Sequence, residues 1–366
     1  MNGPAYIPVS APKLWGNEID HIARALDAGW VSGMGEPVSR FEQAFAAFIG
    51  VPHGVAVSSG TCALQVALKA VGTQPGDEVI VPDFSIASPA FAAVACGAAV
   101  VPVDADASWN IDPGKVEAAI SPRTRAIVVV HTYGRPAGIE CLCEIARRRG
   151  IALIEDAAEC LGGRVGSSGD AACYSFFANK LITTGEGGMM VTKDAAIAGR
   201  ARRLRHMSYG AAEETHFLHG EVGFSFRLSS IAAAMGLAQL EHIEEALASK
   251  IAIGHAYRRA LEGADGIAMA PDHPAHTYWA VGVLVHGDRD SWQRQLHERG
   301  IGTRRFFEPL HRQPALAPHL RLVGEFPRSI ELGRRGFYLP SWPGMPNWIV
   351  DRVAAELREC RPGISL

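Results

Sequence analysis

The sequence predicts an α/β fold: a large domain with a mostly parallel sheet flanked by helices, followed by a smaller C-terminal α+β domain. Three observations lead to it. The chain has 366 residues, more than a single hydrophobic core usually organises, and 48% of them are hydrophobic. Between residues 55 and 191, short apolar runs alternate with longer helical segments, a pattern that requires crossover connections between parallel strands. Past Ile251 the alternation stops and the texture becomes that of a smaller α+β unit.

In chain order, Phe41, Ala44, Phe45 and Phe48 recur at helical spacing, with Gly50 as the stop. Strands are predicted at residues 55–57, 78–81, 100–103, 126–130, 151–154, 172–177 and 189–191. Helices are predicted from Cys62, near Ala90 and over residues 141–149. Ligands of such sheets bind at the carboxyl ends of the strands. Asp83, His131, Asp156 and Lys180 end these runs and are the first candidates for a site. A single long helix over residues 229–249, carrying Ala232, Ala233, Met235, Gly236 and Leu240, links the sheet to the smaller domain. Segments 278–285 and 291–299, with loops at Pro309, Pro314 and Pro340, build that domain. The expected division is residues 1–250, with the N-terminal segment and the linking helix, and residues 251–366.

A net charge of −3 without a basic stripe argues against nucleic acid and against an anionic membrane surface, and for a small-molecule ligand. The seven cysteines lack metal-ligand spacing. Cys141 and Cys143 lie two apart on a predicted helix and face different directions, so no metal is expected. The N-terminus lacks the order of a signal peptide and no apolar run reaches the roughly 18 residues of a membrane span, so a reduced cytoplasm is the expected location.

Three motifs carry chemistry. Ser58-Ser59-Gly60-Thr61 follows a strand and opens a helix, which suits either a phosphate cradle or a simple N-cap. Glu155-Asp156-Ala157-Ala158-Glu159 ends the most apolar strand; Asp156 suits either a partner for a protonated ring nitrogen or another N-cap. Lys180 lies between the run Tyr174-Ser175-Phe176-Phe177-Ala178-Asn179 and the glycine loop Thr183-Thr184-Gly185-Glu186-Gly187-Gly188. A lysine kept neutral and aimed there forms a Schiff base with an aldehyde. Phosphate cradle, acid and lysine, in that order, are the parts of a pyridoxal phosphate site. No glycine triplet of a dinucleotide fold follows the first strand, and no phosphate-loop lysine follows Gly60.

These segments resemble the signatures of the DegT/DnrJ/StrS aminotransferases, fold-type I pyridoxal phosphate enzymes that install amino groups on nucleotide-linked keto sugars. The resemblance runs from Trp30-Val31-Ser32-Gly33 to Leu339-Pro340-Ser341, and the lysine segment most resembles the GDP-perosamine synthase branch. It implies Lys180 as the Schiff-base residue, Asp156 as the pyridine partner and Glu159 at the ring hydroxyl. It further implies that Gly60, Thr61 and Ser175 hold the phosphate. Related sugar dehydratases carry histidine in place of Lys180, so the resemblance is to the transaminating branch.

Two positions depart from the family pattern. Ile86 stands where the family has an aromatic residue stacked on the ring, with Phe84 as the alternative occupant. Ser225 stands in place of an asparagine that reaches the phosphate from the partner subunit of a homodimer. Trp30, Ser32, Tyr133, Arg304 and His311 match substrate-side segments, and Arg304 with Arg305 suits a diphosphate. The implied reaction moves an amino group from L-glutamate to a nucleotide-linked keto sugar, foremost a 4-keto-6-deoxyhexose, with 3-keto sugars and keto-cyclitols open. A dehydratase and a non-catalytic cofactor-binding regulator are the rival readings.

Overall fold

The computed structural model describes residues 6–162, 165–210 and 215–361. All seven predicted runs are strands of one sheet: β1 (His53–Val57), β2 (Glu78–Pro82), β3 (Ala99–Val103), β4 (Thr124–Val130), β5 (Ala152–Asp156), β6 (Ala171–Ser175) and β7 (Gly188–Thr192). Their order is β1-β7-β6-β5-β4-β2-β3. The pairs from β3 through β2, β4 and β5 to β6 are parallel, whereas β7 is antiparallel to both β6 and β1. Only β7 is reversed, so the carboxyl ends of the other six strands share one edge.

Burial explains the near-continuous apolar runs. All five residues of β2 are buried, as are the last five of β4, because helices cover both faces of the sheet. On one face Phe41 and Phe45 of the Glu36–Ile49 helix pack against Phe176, both at ring-centroid distances of 5.2 Å. Tyr174 joins them 4.9 Å from Phe45. On the other, the Gly60–Ala70 helix buries Leu64, Val66, Ala67 and Leu68 against Val55, Val79 and Val128. Complete burial of such side chains stabilises by about 1.5–3 kcal/mol each.

The expected single helix over residues 229–249 is two helices, Ser230–Leu240 and Ile243–Leu261. The break is tertiary in origin. The Gln239 amide turns inward to donate to Lys13 O and to Glu18 Oε1, and the ring of His242 stacks on Trp15 at 4.7 Å. Neither contact is visible in local periodicity.

A second, antiparallel sheet is formed by β8 (Ile267–Ala268), β9 (Val281–Val285), β10 (Arg304–Arg305) and β11 (Gly336–Leu339), in the order β10-β11-β9-β8. Its core gathers Ile253 and Tyr257 of the second helix with Val281, Val283, Phe337 and Val353. Ile7 joins this core, exchanging backbone hydrogen bonds with Gly300 and Gly302. Among the described residues no helix is long and apolar enough to cross a membrane.

Candidate active site

A cavity of about 380 Å³ opens at the shared strand edge. Its floor is the start of the Gly60–Ala70 helix and the ends of β4, β5 and β6. Its roof comes from Trp279, Arg304, Arg305, Phe307 and Tyr338 of the C-terminal part of the chain.

At one end Ser59 Oγ accepts the Cys62 N–H at 3.1 Å and caps the helix, and Thr61 Oγ1 donates to Ser88 Oγ at 3.0 Å. The cap and cradle readings are therefore compatible, since the cap leaves the Gly60 and Thr61 N–H groups at the positive end of the helix. Two glycines permit this geometry. A Cβ on Gly60 would lie 2.9 Å from Ser175 Cβ, and one on Gly188 would collide with the Ser59 carbonyl. The helix start thus lies directly against the ends of β6 and β7, with the Ser175 hydroxyl beside it.

The three carboxylates at the end of β5 have different surroundings. Glu155 is buried behind the cavity, where it accepts the N–H groups of Gly166, Ser168 and Gly169 at 2.8–2.9 Å and a bond from His131 Nε2 at 3.1 Å. His131 Nδ1 accepts the Ala137 N–H, so the ring is a neutral donor through Nε2. Burial pushes the Glu155 carboxyl up, but the bonds from His131 and the loop outweigh it and hold the group below its ordinary range. His131, a candidate from its place at a strand end, is a support of this loop and does not line the cavity.

Asp156 lines the cavity and is buried. Its Oδ1 accepts the Ala158 N–H at 3.1 Å, but no helix begins there, so the helix-cap reading does not hold. Burial raises its pKa against the Ala158 N–H and the pull of Lys180. An anion in that position is stabilised by any cation that enters.

Glu159 accepts the Tyr133 N–H at 2.9 Å through Oε2, and its Oε1 lies 4.0 Å from Lys180 Nζ. Burial raises its carboxyl from an ordinary 4.5 to about 7, against the opposing effect of Lys180. A carboxyl with a raised folded-state pKa binds its proton more tightly when folded. Its contribution is therefore most favourable below about 4.5 and is lost as pH climbs to about 7. In cofactor-free protein, Glu159→Gln will gain stability relative to the parent across that window, by about 1–3 kcal/mol. Urea titrations of both proteins at closely spaced pH values measure the difference, and a flat difference contradicts it.

Lys180 does not end a strand. β6 stops at Ser175, and residues 176–180 form a turn in which the Lys180 N–H bonds Phe177 O at 2.9 Å. Thr183 Oγ1 donates to Phe176 O at 3.0 Å and accepts the Gly185 N–H at 2.9 Å, and Gly185 has φ of 78°. The threonines and glycine of the motif thus build the loop that aims the lysine. The side chain is 12% exposed with Nζ 4.3 Å over the Trp279 ring, and desolvation lowers its pKa against Glu159 and Asp156.

Other candidates divide. Ile86 lines the cavity, while Phe84 is buried outside its wall, 6.0 Å from Tyr133 and 5.7 Å from Phe306 by ring centroid. Arg304 and Arg305 reach the wall. Tyr133 sits behind Glu159 with φ of 55°, its ring against Phe307 at 5.1 Å. His311 is outside the wall. Its Nδ1 lies 2.8 Å from Asp83 Oδ2 and its ring stacks on Phe326, which occupies both His311 and the strand-end candidate Asp83. Ser225, accepting from Arg227 at 3.0 Å, and Trp30 and Ser32 lie away from the cavity of their own chain. Sequence reasoning missed Trp279, Asn179, Glu186 and Tyr338, and only the family-like lysine segment pointed near two of them.

The profile of the DegT/DnrJ/EryC1/StrS aminotransferase family matches residues 12–358. A GDP-perosamine synthase of Caulobacter vibrioides is 39% identical, with 96% of this chain and 97% of that protein aligned. One from Escherichia coli O157:H7 is 35% identical over 97% and 98% of the two chains. The crystal structure of S. venezuelae DesV superimposes with a TM-score of 0.91 at 34% identity, covering 97% of this chain and 98% of that one.

Proposed function

This chain belongs to the DegT/DnrJ/EryC1/StrS aminotransferase family and is a sugar aminotransferase; from that membership we propose that it moves an amino group from L-glutamate to a nucleotide-linked 4-keto-6-deoxyhexose, using pyridoxal 5'-phosphate. The observation that carries this reading is the meeting, in one cavity, of a helix start with hydroxyls, a buried carboxylate and a lysine amine whose pKa is lowered by desolvation. These residues fit the cofactor. The close approach at Gly60 and Gly188 leaves N–H groups for a phosphate, and Asp156 is a buried carboxyl with a raised pKa, whose ionised form a cationic ring nitrogen would favour. When bound, pyridoxal phosphate supplies an aldehyde that condenses with amines and a ring that accepts electrons from the donor's α-carbon.

In this reading Gly60, Thr61 and Ser175 hold the phosphate, Asp156 keeps the ring nitrogen protonated, Glu159 faces the ring hydroxyl and Ile86 packs on the ring. Lys180 would hold the cofactor, and its free Nζ would be the group placed to carry protons at the reacting carbon. Arg304 and Arg305 receive the diphosphate of the sugar nucleotide. A homodimer completes the site. Support for it comes from Ser225, Trp30 and Ser32 lying off their own cavity, and from exposed Trp30, Val31, Ile86 and Phe91. The test is a panel of nucleotide 4-keto and 3-keto sugars with L-glutamate, scored by mass for the amino sugar and for 2-oxoglutarate. Both products are expected with a 4-keto-6-deoxyhexose; loss of water without nitrogen gain, or amination of 3-keto sugars alone, overturns the proposal.

A further inference from the structure

Lys180 has an unusual neighbour. Among the described residues its Nζ makes no hydrogen bond, and Glu159 Oε1, 4.0 Å away, is beyond hydrogen-bond range. The Nζ instead lies 4.3 Å over the Trp279 ring. The same indole donates its Nε1–H to the carbonyl of Asn179 at 3.2 Å, the residue immediately before the lysine. Trp279 therefore holds the turn by its edge and the amine by its face.

The indole is itself fixed from several sides. It precedes β9, and the residues around it are tied to the large domain by Thr277 N–H to Gly134 O at 2.8 Å and Ala280 N–H to Tyr133 O at 3.4 Å. Tyr278 occupies the left-handed region at φ 51°, and Gly254 leaves room for its ring, which any Cβ there would strike. A non-glycine residue is held in that conformation only where its surroundings over-determine it. Here the result is an indole face presented at one atom.

We infer that Trp279 is a positioning residue for Lys180, its ring face stabilising the charged amine and its N–H fixing the direction from which the amine enters the cavity. The inference rests on the reading of Lys180 as the reactive amine. A ring face over an ammonium in a desolvated site is worth enough to shift its protonation by about tenfold. An aliphatic side chain of similar reach keeps water out but offers no negative face. Without the indole, Lys180 spends more time uncharged and less time aimed.

Competitive acetylation of cofactor-free protein with acetic anhydride, read by mass spectrometry with exposed Lys193 as the internal standard, measures the free-amine fraction of Lys180 against pH. In Trp279→Leu, Lys180 is expected to label about tenfold faster than in the parent at pH values below its pKa. In Trp279→Phe, which keeps a ring face, it should label within about twofold of the parent. Leucine labelling within twofold of the parent overturns the inference, as does phenylalanine labelling as fast as leucine. Trp279→Met replaces the leucine variant if that protein fails to fold by circular dichroism. Because this readout needs no cofactor, its failure is distinct from failure of the Schiff-base assignment, which borohydride trapping on Lys180→Ala decides.

Discussion

Lys180→Ala will lower amino transfer by about 10³-fold or more and will leave no borohydride-reducible bond between protein and cofactor. The size follows from losing two roles at one atom. In the proposed function the amine that links to the cofactor disappears, and so does the group that carries protons at the reacting carbon, a function worth about 10²–10⁴-fold alone. Nothing nearby replaces it. The other polar groups lining the cavity near the strand ends are carboxylates, hydroxyls and the Asn179 amide, and the arginines come from the C-terminal part of the chain. The variant should fold, because the lysine turn is held by backbone bonds and by Thr183, not by Nζ. Single-turnover release of 2-oxoglutarate and mass analysis after borohydride treatment measure both effects. A reducible linkage that persists in Lys180→Ala would exclude this lysine as the anchor.

The second large effect is expected at Asp156. Asp156→Asn keeps the acceptor for the Ala158 N–H and the shape of the wall, but removes the buried carboxyl that the proposed function pairs with the ring nitrogen. Breaking one side of a buried ion pair typically costs about 3–5 kcal/mol. Activity should therefore fall by about 10²–10⁴-fold and the cofactor should dissociate more readily, with little change in the urea midpoint. Absorbance of released cofactor on dialysis and kcat on a keto sugar measure the two losses. A variant that retains cofactor and activity within tenfold would place the ring nitrogen against some other group.

The site is legible in the sequence wherever its chemistry is carried by short segments. Ser59-Gly60-Thr61, Asp156 and Glu159, and Ser175 with Lys180 line one cavity, each close to a strand end. Where the reading depends on strand ends alone it fails. His131 and Asp83 directly follow strands as well, yet their side chains are occupied by Glu155 and His311. A position at the right edge of a sheet does not say which face the side chain takes, and a buried polar group takes the face that satisfies it. Lys180 itself reads as a strand residue because Phe176 and Phe177 extend the apolar run. The strand stops at Ser175 because Phe176 gives its carbonyl to Thr183 and Thr184.

Taken alone, the sequence determined the seven strands, the alternation with helices, the order of cradle, acid and lysine along the chain, and the glycines that let backbone approach backbone. These arise from periodicities and local steric demands that operate within a few residues. The tertiary structure alone decided that β7 runs against its neighbours, that the linking helix breaks where Gln239 and His242 engage the N-terminal segment, and that Trp279 lies over Lys180. Each depends on side chains far apart in the chain finding partners in a dry interior. Such pairing is set by the packing of whole elements, and no local pattern records it.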